Sequence, residues 1–261
     1  MSLWQHRLGG ALAATAIAAV AVGMSASPTS RIVQGECRTV NGAQVCVWAE
    51  TDNDTLNTFG VTVPIQAIEN APADAPMVWP PVPVATIPLP DVARVASGFD
   101  NLTLYWEPHG HPPAAFLAPH FDFHFNTLSM ADVAAIDCSD TSKPARLSAR
   151  YEMPDVAVPN VGTLVGLCIP GMGMHSMPAS ELRNSSFAKT MVFGYYHARP
   201  IFLEPMVTRE QLLKRRSFTL DVPHVPGQPI TTRAPTLFRA DYDRASQSYR
   251  FVFSDLVTST R

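Results

Sequence analysis

The segment Pro119-His-Phe-Asp-Phe-His-Phe125 alternates strictly between aromatic and polar side chains. Successive side chains of a β-strand point to opposite faces, so His120, Asp122 and His124 share one side while Phe121, Phe123 and Phe125 share the other. The phenylalanine side calls for a hydrophobic core, and the opposite side carries a row of metal-ligand types. The rest of the chain suits such a strand. Only 16% of its 261 residues are charged and 24 are proline, a composition poor in the residues that cover helix surfaces and rich in strand and turn formers. The expectation is a mainly β fold: a single β-sandwich or barrel-like domain over residues 26–261 with a few short helices.

A second constraint lies near the start. Cys37 and Cys46 flank Arg38-Thr-Val-Asn-Gly-Ala-Gln-Val45, and Asn41-Gly42 is the strongest short hairpin signal. A two-residue turn there pairs Val40 with Ala43 and, counting outward, Cys37 with Cys46. The cysteines then fall in the closer, non-hydrogen-bonded class of pairs, where a disulfide closes easily. Cys138 and Cys168 pair by default. A four-cysteine zinc site ranks behind, because no two cysteines have knuckle spacing. Disulfides imply an oxidising compartment. Residues 1–25 agree: Arg7, an apolar stretch from Leu8 to Met24 and small residues at Gly23 and Ser25 form the pattern of a secretory signal, with cleavage expected after Ser25. An uncleaved anchor ranks behind, since the stretch is weakly hydrophobic. The expected product is secreted or periplasmic, with no stable membrane insertion after cleavage. The formal net charge of −3 becomes one unit more negative without Arg7, which disfavours nucleic acid.

Strands are expected at Val45–Glu50, Phe59–Ile68, Phe99–Glu107, within Phe116–Leu128, and at Leu220–Val225, Thr236–Tyr242 and Tyr249–Leu256. Seven prolines between Pro72 and Pro90 forbid a central strand and favour an extended segment. Because Trp79, Val82, Val84, Ile87 and Leu89 are apolar, that segment should be a packed strap. Ser129 with Asp132 and Thr208 with Gln211 start short helices, and Lys214, Arg215 and Arg216 close the second at its negative end.

His109, His111, His120 and His124 fall within 16 residues. Residues two apart on a strand are separated by roughly 6–7 Å, close enough for neighbouring imidazoles to converge on an ion. His120 and His124 need a twist or bulge to meet, which would leave Asp122 as an orienting acceptor behind the ligands, with His109 in the same supporting role. Gly110 lets the backbone beside His111 approach closely. His175 follows a glycine-rich turn, and Glu204 lies in an apolar run where an unpaired carboxylate would be costly. Its partner is a metal, a histidine, or an arginine such as Arg199 or Arg209. The candidate ligands are thus His111, His120, His124, His175 and Glu204. Imidazole with carboxylate suits a divalent transition metal, zinc first, then iron, copper or manganese. Met172, Met174, Met177 and Met206 read as core fillers, and His197 and His224 as satisfied core histidines.

Gly-His-x-Pro at Gly110 to Pro113, the heptapeptide Pro119 to Phe125, Gly-Met-Gly-x-His at Gly171 to His175, and Gly-Tyr-Tyr with Phe-x-Glu-Pro-Met at Gly194 to Met206 resemble a bacterial family of exported proteins, known as a domain of unknown function with a representative fold from Thermus. The resemblance spans about Val45 to Leu213 and implies no established activity. The chain departs from that pattern after His175, where the family carries an aromatic, and at Tyr196-His197-Ala198, where it carries an acidic and glycine turn. Looser likenesses to the metal shell of cupins and to the His-x-His strand of α-type carbonic anhydrases are analogies of pattern only. Three functional readings follow: a metal- or small-ligand-binding exported protein; a metal-dependent hydrolase, lyase or oxidoreductase, its catalytic residues unknown; and a structural envelope protein whose His/Asp cluster is a hydrogen-bond network. A small-molecule ligand and a homo-oligomer are compatible with all three.

Overall fold

The computed structural model describes Met1 and residues 30–228 and 232–258. The expected leader and its cleavage site, beyond Met1, lie outside the described residues. No helix among the described residues is long and apolar enough to cross a membrane.

Strands β1 (Ser30–Val40), β2 (Ala43–Asp52) and β3 (Thr55–Pro64) open the chain as a meander, followed by helix α1 (Ile65–Glu69). Next come β4 (Ala85–Pro88), α2 (Asp91–Ser97), β5 (Asn101–Glu107), β6 (His120–Asn126) and α3 (Met130–Ala134). The short strands β7 (Tyr151–Glu152), β8 (Val156–Val158) and β9 (Gly162–Leu164) precede β10 (Met174–Pro178) and α4 (Ala179–Leu182). A long hairpin, β11 (Lys189–Tyr196) with β12 (Arg199–Thr208), leads to α5 (Arg209–Leu213). The chain closes with β13 (Phe218–Asp221), β14 (Arg233–Ala234), β15 (Leu237–Asp243), β16 (Ser248–Ser254) and β17 (Val257–Thr258).

Two antiparallel sheets result, one of six strands in the order β1-β2-β3-β16-β15-β13 and one of seven in the order β4-β5-β6-β12-β11-β10-β7. They pack face to face as a sandwich. Phe123 meets Phe251 at 4.6 Å between ring centroids, Phe125 meets Phe253 at 4.9 Å, and Phe59 reaches Phe125 at 6.1 Å. Offset and edge-on rings of this kind add to the burial of large apolar area that holds the sheets together. Gly60 permits the close pairing of β3 with β16, since a Cβ there would lie 1.8 Å from the Phe251 carbonyl oxygen.

The hairpin has the expected register, with Cys37 opposite Cys46 and Val40 opposite Ala43. Asn41 and Gly42 both have positive φ, 48° and 85°, as the tight turn requires. The two disulfides are Cys37–Cys46 and Cys138–Cys168. Both capping predictions hold: Ser129 accepts from the Asp132 amide at 3.2 Å and Thr208 from the Gln211 amide at 3.2 Å.

Several expectations are corrected. The strand expected over Phe59–Ile68 ends at Pro64, because Ile65 onward turns into α1 and buries Ile65, Ala67 and Ile68 from a helix. The strand expected over Leu220–Val225 instead runs Phe218–Asp221, where it pairs with β15. The proline segment does place Ile87 and Leu89 in the core and makes β4 an edge strand, but Val78, Trp79, Val82 and Val84 are exposed. The cations after α5 also have side-chain partners: Lys214 pairs with Glu210 at 3.1 Å and Arg215 with Glu69.

Candidate metal centre

The outer face of the seven-stranded sheet, pointing away from the sandwich core, would ordinarily meet water and carry polar side chains. Here it carries polar side chains and is buried. On β5 it presents Thr103, Tyr105 and Glu107, which the register sets opposite His124, Asp122 and His120 of β6. On the other flank, β12 sets Met206 opposite Asp122 and Thr208 opposite His120. Glu204 is two residues before Met206 on the same face, with Val192 of β11 beside it, and His175 of β10 pairs with Gly194 beyond. A second apolar layer built from Phe116, Ile136, Leu167, Phe187, Ile169 and Met172 covers the face. His120, His124, His175, Asp122 and Glu204 are all less than 5% exposed.

Within this layer the titratable groups form two sets, His111 with His120 and Asp122, and His124 with His175 and Glu204, the ligand atoms of each lying within 4.8 Å of one another. Each carboxylate is shared between two imidazoles. Asp122 Oδ1 is 3.2 Å from His120 Nε2 and Oδ2 is 3.8 Å from His111 Nε2. Glu204 Oε1 is 3.2 Å from His124 Nε2 and Oε2 is 3.9 Å from His175 Nε2. Among the described residues, His120 Nε2, Asp122 Oδ1, His124 Nε2 and Glu204 Oε2 have no hydrogen-bond partner. Four orphaned buried polar atoms at one place are rare in folded proteins and call for a cause.

The far nitrogens fix which way each ring presents its lone pair. Nδ1 of His111, His120 and His175 lies 2.8, 2.6 and 3.0 Å from the carbonyl oxygens of Pro112, Ala118 and Leu167. A carbonyl oxygen only accepts, so each Nδ1 carries a proton and donates it, and in a neutral ring the lone pair is left on Nε2. Burial and the neighbouring His120 hold His111 down at about 4, and burial and His124 hold His175 down at about 3, so both rings are neutral at pH 7. Their Nε2 lone pairs therefore face carboxylate oxygens, a repulsive arrangement that a cation between them would relieve. Burial works against charge on His120 too, yet the Asp122 carboxylate raises it, while Asp122, which burial alone would raise, is drawn down to about 2 chiefly by His120. Burial raises Glu204 in spite of His124.

Two glycines make room for this geometry. Gly110 has φ 61°, and a Cβ on it would lie 2.2 Å from the Phe116 carbonyl oxygen, so only glycine lets the His111 loop fold against the short helix Ala114–Phe116. At Gly194 a Cβ would lie 1.9 Å from Phe202, whose ring occupies that space and stacks on His124 at 4.3 Å.

The structure thus gathers all five expected ligands but divides them. His120 and His124 do not converge on one point; the strand runs without a bulge between them, and each joins a different set. Asp122, expected behind the ligands, has its carboxylate oxygens grouped with the His111 and His120 nitrogens. His109 is exposed and bonds the Ala75 carbonyl oxygen at 3.0 Å, away from both sets. Arg209, a possible partner for Glu204 on sequence grounds, binds the carbonyl oxygens of Ile68 and Glu69 instead. His197 and His224, read as core residues, are exposed, and His197 pairs with Asp140. The four methionines are buried, as expected of fillers.

Glu107 was not singled out from the sequence. It is 8% exposed, and burial followed by the Asp122 charge pushes it up to about 8. Its place at the end of an alternating strand that pairs with β6 was the available signal. A cavity of about 60 Å³ is lined by Glu107, His111, Asp122 and His175, and roofed by Met77, Trp79 and Met172. That volume holds a few water molecules or a ligand of similar size. Comparison with protein-family models, with curated proteins and with solved structures finds no match.

Proposed function

We propose that this chain is an extracytoplasmic metalloprotein whose buried outer-sheet centre binds a divalent transition metal, zinc first, with one side left open to a small ligand. The observation that carries the reading is the pair of neutral imidazoles, His111 and His175, each aiming an Nε2 lone pair at a carboxylate oxygen 3.8 and 3.9 Å away. A hydrogen-bond network would not leave four of its buried atoms without partners. The donor set, imidazole nitrogen and carboxylate oxygen, suits zinc, iron, copper or manganese better than calcium. Export is supported by the leader pattern of residues 1–25 and by two disulfides. Each motif segment that carries the likeness to the exported bacterial family supplies a residue to this centre, namely His111, the His120 to His124 row, His175 and Glu204, which supports reading those motifs as that family's site.

A second reading, metal-dependent catalysis, is favoured by the cavity beside the donors. His111, His120 and Asp122, or His124, His175 and Glu204, would hold the ion, and zinc there would supply Lewis-acid activation of water. Glu107, on the cavity wall, is the group placed to exchange a proton with a molecule there.

Elemental analysis of the full chain, purified without a histidine tag and then dialysed against zinc, tests the proposal. Stoichiometric metal in the wild type, reduced in His120→Ala and His124→Ala, is the expected result. Metal-free protein after reconstitution, with those variants altering only thermal stability, overturns it in favour of a structural cluster.

A further inference from the structure

We propose that the centre is binuclear, with one ion held by His111, His120 and Asp122 and a second by His124, His175 and Glu204, both facing one cavity. The inference rests on the metal reading above and goes beyond it in number and arrangement.

The two sets share no donor. Each has its own carboxylate, divided between two imidazoles, and each has its own orphaned atoms: His120 Nε2 and Asp122 Oδ1 in the first, His124 Nε2 and Glu204 Oε2 in the second. A single ion in either set leaves the other with a lone pair directed at a carboxylate and with buried atoms unsatisfied, which is unfavourable. A single ion midway would have to draw His120 and His124 together. Those residues are four apart on a regular strand, roughly 13 Å at the backbone, and β6 pairs with β5 without a register shift from Asn101 to Glu107.

Nor are the sets independent sites on separate surfaces. Asp122 and His124 are two residues apart, which places the sets roughly 6–7 Å from one another along the strand. Tyr105, opposite Asp122 in the register, also packs its ring on His124 at 5.0 Å. The one cavity is lined by His111 and Asp122 from the first set and by His175 from the second. Glu107, Asp122 and Glu204 are 8%, 3% and 1% exposed. Among the described residues no lysine or arginine pairs with Asp122 or Glu204, whose close partners are imidazoles. Asp122 and Glu204 are thus two separate buried acceptors, one in each set.

The test is zinc stoichiometry at equilibrium on the tag-free full chain, with Asp122→Asn and Glu204→Gln alongside. Circular dichroism on each protein reports whether the fold is kept. The expected result is two zinc ions per wild-type chain and one in each variant. A further readout is copper(II) loading: two ions at this spacing broaden each other's electron paramagnetic resonance spectrum, and the single-site variants lose the broadening. One ion per folded wild-type chain overturns the binuclear centre and leaves the metal reading standing. Loss of both ions in either folded variant also overturns it, because it would mean that the donors serve one site. No ion at all in the wild type overturns the metal reading itself.

Discussion

His124 and Glu204 place a ring nitrogen and a carboxylate oxygen 3.2 Å apart, yet His124 Nε2 forms no hydrogen bond among the described residues. Proximity without hydrogen-bond geometry stores no stability in the metal-free protein and leaves two buried groups poorly compensated. Binding to the folded state alone should therefore act as a strong linkage. At zinc concentrations about 100-fold above Kd, Tm should rise by about 5–10 °C and fall back on chelation. Differential scanning calorimetry with and without zinc measures this; an unchanged Tm would contradict it.

Gly110→Ala should weaken the His111 set more than the His124 set. The added Cβ meets the Phe116 carbonyl oxygen at 2.2 Å in a backbone conformation with φ 61°, so the loop must shift and carry His111 with it. Zinc titration should show one affinity reduced about 10-fold or more and the other nearly retained. Equal weakening of both would show that the loop does not act through His111.

Glu107 gives the metal-free protein a pH signature. Its folded value, about 8, stands above the ordinary 4.5, so the folded state holds a proton that the unfolded chain releases across that window. Its contribution is fully present below pH 4.5 and is lost as pH rises through about 8. Glu107→Gln removes that slope. Relative to wild type, the metal-free variant should gain stability between the two ends, by up to about 5 kcal/mol, read from urea midpoints across the range. Parallel pH profiles for the two proteins would refute the assignment.

The two disulfides should differ in what they protect. Cys138–Cys168 closes a separation of 30 residues and anchors the segment whose Leu167 carbonyl oxygen holds His175 in its tautomer. Replacing both cysteines with serine should cost about 3–4 kcal/mol by the chain-entropy estimate and should weaken metal binding. The Cys37–Cys46 bridge, with a separation of 9, lies on the six-stranded sheet away from the centre. Its removal should cost about 2–3 kcal/mol and leave metal affinity unchanged. Urea unfolding with zinc titration on both double variants separates the cases.

Local signals were legible in the sequence where a single strong chemical preference decided the outcome. Asn41-Gly42 set the hairpin register down to the cysteine pair, Ser129 and Thr208 capped their helices, and alternation assigned His120 to Phe125 to their faces. What the sequence did not reveal was long-range. The separation of His120 and His124 into different sets depends on where His111 and His175 arrive from distant segments, and strand period alone does not encode that. Alternation alone does not say whether Asp122 stands behind the imidazoles or beside them; the arrival of His111 places it in a set with His111 and His120. Glu107 carries no signal of its own, because a lone glutamate at a strand end resembles any solvated one until β6 is laid beside it. His197 and His224 went wrong for the opposite reason: apolar neighbours in sequence did not keep either one from the surface.

The apolar layer over the outer sheet face also governs time. Phe116, Leu167, Ile169 and Met172 lie over donors that are themselves almost wholly withdrawn from solvent. An ion seated beneath them would have only the narrow cavity or a lifting of that cover as a way out, so its residence should depend on the frequency of local opening as well as on affinity. Chelator should then strip the protein at a rate that saturates with chelator concentration, and loosening the cover should quicken exchange in both directions while leaving the equilibrium occupancy nearly where it was.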